Sequence, residues 1–333
     1  MLVKTFALAL CLPFLVPGAL LGNDGAAEVA QGGIRLKQER RVAMVKERLF
    51  ISKKKVRVEY EFRNESPEAV TTEIAFPIPE YHLDLGYGWA PFDDFKVWVD
   101  DKPLSHKVEA RAYVNGREIT PELESMKLDV ATFAGFEEPK DARLPFRSQI
   151  RECSRSQKQR LIALGAINAE DDVEAQWSVR KTYHWTQTFP AQGVMKIAHE
   201  YTPVCGGSAA LSLPTLQAPI KGWHNENADP ACPDGGFIQS FKRAVAANHK
   251  QHPDGLYANQ ESLSAEWVRY ILTTANTWKT PILDFELTVE RNPGELITFC
   301  WDGPVEKTGA NTFRARKTDF TPTKELTVYF LQP

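Results

Sequence analysis

Val56, Val58, Tyr60 and Phe62 alternate with Arg57, Glu59 and Glu61. A two-residue period puts one apolar row and one charged row on opposite faces of a strand, so this stretch predicts a half-buried antiparallel strand. GIRLKQE, VAMVKERLFIS and VTTEIAFPIP around it are built in the same way, rich in β-branched and aromatic residues. Asn64-Glu-Ser-Pro67 supplies a turn. Asp100-Asp101 and Asn115-Gly116 mark two hairpins, and Asn-Gly is the stronger signal because both residues tolerate the positive φ of a type I′ turn. A chain that punctuates itself this often builds sheets, and residues 23–119 read as an N-terminal β-sandwich region.

The pattern changes at Thr120-Pro121-Glu122, where a hydroxyl cap, a proline and an acid predict a helix start. Ile150, Cys153, Leu161 and Leu164 form a helical stripe that Gly165 stops, so residues 120–170 read as a helical insert. Strand patterns return over 171–333. One helix near 235–248 interrupts them, with Phe237, Phe241 and Val245 on one face and Asp234 as its cap. The expected fold is mainly β with a helical insert: antiparallel β-sandwich packing, as one composite or two tandem sandwiches.

Residues 1–22 carry Lys4 ahead of an apolar run broken by Pro13 and Pro17 and followed by Asn23 and Asp24. That is the build of a signal peptide, with Gly22 suited to the position before cleavage. Its removal leaves 39 basic and 43 acidic residues, a net charge of −4, with no basic footprint for nucleic acid. Lys53-Lys54-Lys55 reads as a solvated turn. No second apolar run is long enough to span a bilayer, so the mature chain is expected to be periplasmic or secreted. Cys153, Cys205, Cys232 and Cys300 remain. An even number in an exported chain suggests two disulfides, with three connectivities open. The close cysteine pairs of a zinc site are missing.

Candidate chemistry is sparse. If residues 190–193 form a hairpin loop, His184 faces His199, and Thr182, Thr186 and Thr188 share that face with Met195, Ile197 and Tyr201. Tyr183, Trp185 and Phe189 then mark the core side. Two opposed imidazoles are weak metal candidates, since a catalytic zinc needs a third protein ligand that nothing adjacent supplies. His249 and His252 read as a polar helix end. Adjacent acids (Asp93-Asp94, Asp100-Asp101, Glu170 to Asp172) read as turn residues, without an EF-hand pattern. Gly206-Gly-Ser208 is not a nucleophile elbow, and no phosphate or dinucleotide loop is present. No catalytic residue and no cofactor is expected. The irregular stretch over 82–95 carries Tyr87, Trp89, Phe92, Asp93 and Asp94, and loop aromatics of this kind are the candidate binding residues, for a partner or a carbohydrate.

Several motifs recur in order: AEVAQGGIRL, VRVEYEFRNES followed by IAFPIP, FDDFKVWVDDKPL, YHWTQTFPA, HEYTPV followed by GGS, YILTTANTW followed by PILDF, and TFCWDG. From about residue 26 to the end the chain resembles the exported bacterial family called domain of unknown function 4424. The resemblance implies an envelope protein whose fold is an Ig-like antiparallel β-sandwich, with no established activity, and it transfers no catalytic residue. It also implies a Cys232–Cys300 bond, which leaves Cys153 with Cys205. The family carries an aromatic where His184 stands and an aliphatic residue where Cys205 stands. The expected role is a non-catalytic protein that binds another envelope component, protein or glycan. The alternative is an envelope hydrolase acting on glycan or peptide through carboxylates assembled by the fold, which requires a cleft where acids or histidines converge.

Overall fold

The alternation over 56–62 is realised in the strand Val56–Asn64, whose buried and exposed residues follow each other with a period of two. A computed structural model describes residues 23–30, 33–82, 94–128, 130, 150, 152–171, 175–203, 205–217, 231–251 and 261–333. The first strands are β1 (Gly25–Ala30), β2 (Gly33–Leu36), β3 (Val42–Ile51), β4 (Val56–Asn64), β5 (Val70–Pro77) and β6 (Tyr81–His82). Next come β7 (Lys96–Val99), β8 (Lys102–Leu104), β9 (Lys107–Val114) and β10 (Arg117–Glu118). After the helical segment follow β11 (Ser178–Phe189), β12 (Val194–Tyr201), β13 (Gly206–Ser212) and β14 (Ser262–Tyr270). The chain closes with β15 (Ile282–Glu290), β16 (Leu296–Thr298), β17 (Val305–Lys307), β18 (Thr312–Phe320) and β19 (Leu326–Gln332).

These strands form three open sheets. One runs β10-β9-β11-β5-β1-β2, with β6 on β11; the second runs β17-β18-β15-β3-β4-β12-β7-β8; the third runs β13-β14-β19-β16. All pairings are antiparallel except β3 with β15. Strands from both halves of the sequence share the two large sheets, so the architecture is a composite β-sandwich. Its size and its parallel pair differ from the seven to nine antiparallel strands of an immunoglobulin sandwich.

The main core fills the space between the sheets. It gathers Phe62 from β4, Phe76 from β5, Trp185 and Phe189 from β11, Ile197 from β12, Phe285 from β15 and Phe330 from β19. A second cluster, with Leu123, Leu161 and Trp177, packs the helices Thr120–Ser125 and Arg155–Ala163 under β9 and β11. A third lays the helix Gly235–Gln251 over the other face of the smallest sheet through Phe241, Val245, Trp267 and Tyr329. This sheet is covered on both sides, which explains why Leu326 to Leu331 form an unbroken buried run.

Several local signals were met, but the expected stripe of Ile150, Cys153, Leu161 and Leu164 is not one helix: Cys153 and Ser154 break it, and Ser154 caps a new helix, Arg155–Ala163. Asp100, Asp101, Asn115 and Gly116 all have positive φ at their hairpin turns. Asp234 accepts a hydrogen bond from Phe237 N (2.6 Å) at the start of its helix. Thr120, expected as a cap, instead accepts from Ala112 N (2.9 Å) and ties the helix to β9.

Gly206 has a packing role. A Cβ there would lie 2.1 Å from Nε1 of Trp267, its cross-strand partner, whose indole occupies the space a side chain would take. Gly206→Ala is expected to destabilise by about 1–3 kcal/mol, because the buried indole must move. Urea unfolding measures this, and an unchanged midpoint would refute the packing argument.

Candidate functional site

The segment Phe189-Pro-Ala-Gln-Gly193 does not close a hairpin. β11 pairs with β5 and β9 in one sheet, while β12 pairs with β4 and β7 in the facing sheet. Residues 190–193 therefore form an arch across the sandwich. Asn64 holds it, donating Nδ2 to Phe189 O (3.2 Å) and its backbone N–H to Gly193 O (3.0 Å).

The expected His184–His199 pair is corrected by this geometry. His184 points away from the core face of its sheet, and its Nδ1 lies 2.7 Å from Glu73 Oε1. His199 is 0% exposed and points inward with Met195, Ile197 and Tyr201. Side chains of an arch meet through the core rather than across a ladder, so both strands turn odd-numbered residues inward, His199 among them, and even-numbered His184 falls on the other face. Among the described residues no group of three His, Cys, Asp or Glu side chains is placed to hold a metal.

The inward histidine leads to an unexpected constellation. Its Nε2 lies 2.8 Å from Asp24 Oδ1, and both side chains are fully buried. Phe76, Phe95, Trp185 and Tyr60 surround the imidazole with ring centroids 5.2 to 5.6 Å away. Beside them Asn23 Nδ2 donates to Glu47 Oε2 (3.0 Å), and the Tyr60 hydroxyl donates to Asn23 Oδ1. Tyr270 joins through its hydroxyl, 3.1 Å from that of Tyr60. Trp278 Nε1 donates to Asp24 O (2.7 Å), and the Asn23 N–H reaches Thr274 Oγ1.

The electrostatics follow from burial. Loss of water raises the Asp24 carboxyl above its ordinary range, against the pull of His199. Burial pushes Glu47 up to about 8; the Asn23 hydrogen bond opposes that shift and the charge of Asp24 adds to it. Tyr60 and Tyr270 are raised well above the usual phenol, again chiefly by burial. Glu47 Oε1, Asp24 Oδ2 and His199 Nδ1 have no hydrogen-bond partner. Sequence reasoning missed Glu47, although a signal was present: it falls in phase with the core residues Leu49 and Ile51 of β3.

The other expected site residues divide. Tyr87, Trp89, Phe92 and Asp93 lie outside the described residues. Asp94 accepts from Thr202 N (2.9 Å) and Thr202 Oγ1 (2.7 Å), a turn-holding role at the end of β12. Cys232 and Cys300 are bonded. The Cys153–Cys205 bond does not form. Cys153 packs against the helical cluster and Cys205 against the main core, where burial pushes its thiol up to about 12. Lys53 is not the solvated residue expected of its turn. Burial lowers its pKa, but Glu266 and Glu295 outweigh that and hold the ammonium charged. With Lys54, Lys55 and Arg291 it borders an open recess of about 390 Å³.

The family model for a domain of unknown function, DUF4424, matches residues 22–329. The chain belongs to this family. The DUF4424 match begins one residue before Asn23 and so takes in the whole buried constellation. No curated protein matches. Among solved structures, the DUF4424 chain is similar to a candidate nutrient binding protein from Legionella pneumophila, at 15% identity and a TM-score of 0.42, over 88% of this chain and 68% of that one.

Proposed function

We propose that the chain is a non-catalytic protein of the periplasm or cell exterior that binds another envelope component. One observation carries this reading. Among the described residues, the groups best suited to acid–base chemistry, Asp24, Glu47, His199, Tyr60 and Tyr270, are all within 2% of full burial, with His199 bonded to Asp24, Tyr60 to Tyr270 and Glu47 to Asn23. Acids and a histidine converge, as a hydrolase requires, but inside the core, where no glycan or peptide reaches them. The leader-like residues 1–22 and the Cys232–Cys300 bond support an exported, oxidising setting.

The test uses the mature chain immobilised against a solubilised envelope fraction, with glycan strands and peptides assayed in parallel. One retained component, displaced by free mature chain, is expected, with no soluble fragments released. Fragment release that His199→Gln or Glu47→Gln abolishes would establish the hydrolase instead.

A further inference from the structure

We infer that the chain is processed between Gly22 and Asn23, and that the new α-ammonium of Asn23 becomes the buried counter-ion of Glu47. The inference rests on export but not on the binding role. Asn23 and Asp24 are both 0% exposed, deep among residues from β3, β4, β12 and β14. Chain starts are ordinarily found at the surface, tied down only where packing demands it. Here the first residues after the leader are the hub of a hydrogen-bond network, reaching Thr274, Glu47, Tyr60, His199 and Trp278.

The charges in this pocket do not balance as they stand. Asp24 has His199 beside it. Glu47 has only the neutral amide of Asn23, and its Oε1 has no partner. An isolated buried carboxylate is strongly disfavoured, whereas a paired and hydrogen-bonded one is tolerated. A peptide nitrogen at Asn23 has one N–H, and it already donates to Thr274 Oγ1. An ammonium has three, leaving two for the acceptors that lack partners here, Glu47 Oε1 and Asp24 Oδ2. Glu47 then faces a cation and is ionised.

The covalent step is simple hydrolysis by a leader-cleaving peptidase. Water adds to the Gly22 carbonyl carbon and the C–N bond breaks. Gly22 leaves as a carboxylate, and the amine of Asn23 takes up a proton. With an amide at Asn23 the pocket holds an unpaired acid; with an ammonium it is complete, so cleavage and folding are coupled.

Two purified chains test this: one starting at Asn23, made from a fusion whose cleavage leaves no added residue, and one with a single glycine before Asn23. The extension is expected to lower the folding equilibrium constant by more than about 100-fold in urea titrations, the scale of a buried pair that loses one partner. In a Glu47→Gln background the same extension should change it less than about threefold, as expected for uncoupled groups. Equal stability of the two chains, or the same loss in both backgrounds, overturns the inference.

The pH profile separates them again. In the extended chain Glu47, faced by Asp24, Tyr60 and Tyr270 and by the His199 that holds Asp24, is raised from 4.5 to about 8. A raised folded pKa favours the protonated acid, so that stability is full below 4.5 and is lost as pH rises through 8. The chain starting at Asn23 should lack that loss.

If the extended chain does not fold, the Asn23 chain alone decides. Near pH 7 an acylating reagent prefers an exposed α-amine to lysine, because its pKa is about 7.7–8. In the folded chain the Asn23 amine should react at least tenfold more slowly than in urea. Equal rates, or an exported protein whose first residue is not Asn23, would reject the inference.

Discussion

His199→Ala is expected to destabilise the protein by about 3–5 kcal/mol, the range for stripping a buried acid of its hydrogen-bonded partner. The imidazole is fully buried, lies 2.8 Å from Asp24 and is boxed in by four aromatic rings. Alanine removes the partner of Asp24 and leaves a cavity between the rings, and both effects act in one direction. Without its partner the Asp24 carboxyl, which burial already raises, rises further. A raised folded pKa costs stability as pH rises from the acid side, and the variant should lose more than the parent, in which His199 holds the Asp24 shift down. His199→Gln keeps a donor for Asp24 and should recover part of the loss; His199→Leu fills space without a donor and should not. Urea titration at two pH values distinguishes them. A leucine variant as stable as the parent would show that the ring is only filler.

The second large effect is expected at Cys232 and Cys300. The bond joins residues 68 apart and ties the approach to the helix Gly235–Gln251 to the end of β16. Closing a loop of that length removes enough freedom from the unfolded chain to stabilise by about 4 kcal/mol at 25 °C. The double variant Cys232→Ser/Cys300→Ser should lose that amount, and reduction of the parent should give the same loss. Neither treatment should affect Cys205, whose buried thiol is held protonated. If the reduced and oxidised chains unfold together, the bond contributes nothing and the contact between Thr298 Oγ1 and Ala231 O (2.6 Å) suffices to hold this corner.

Much of the fold was legible because alternation and turn chemistry are local. Val56 to Phe62, Asn115-Gly116 and Asp234 each act within a few residues, and each behaves as its local sequence predicts. The arch at residues 190–193 was not legible from its loop, since a four-residue connection suits a hairpin equally well. A sign lay in the flanks. In the hairpin register, Tyr183, Trp185 and Phe189 fall on the face opposite Met195, Ile197 and Tyr201, so one apolar row would meet water. An arch points both rows inward, and all six are buried. The polar centre was harder to read. Asn23, Glu47, His199 and Tyr270 are scattered along the sequence, and only tertiary packing brings them together.

The single parallel pairing also has a consequence in time. β3 lies in the middle of its sheet, between β4 and β15, with Leu49 beside Leu287. A chain that emerges from its N-terminus first presents β3 long before β15 exists. Until then β3 has an open hydrogen-bonding edge next to Phe50 and Ile51, which is a template for pairing with other chains. Contacts between such distant segments form slowly. The nascent protein therefore passes through a stage that favours self-association, and holding chaperones of its compartment should raise its yield more than they raise its final stability.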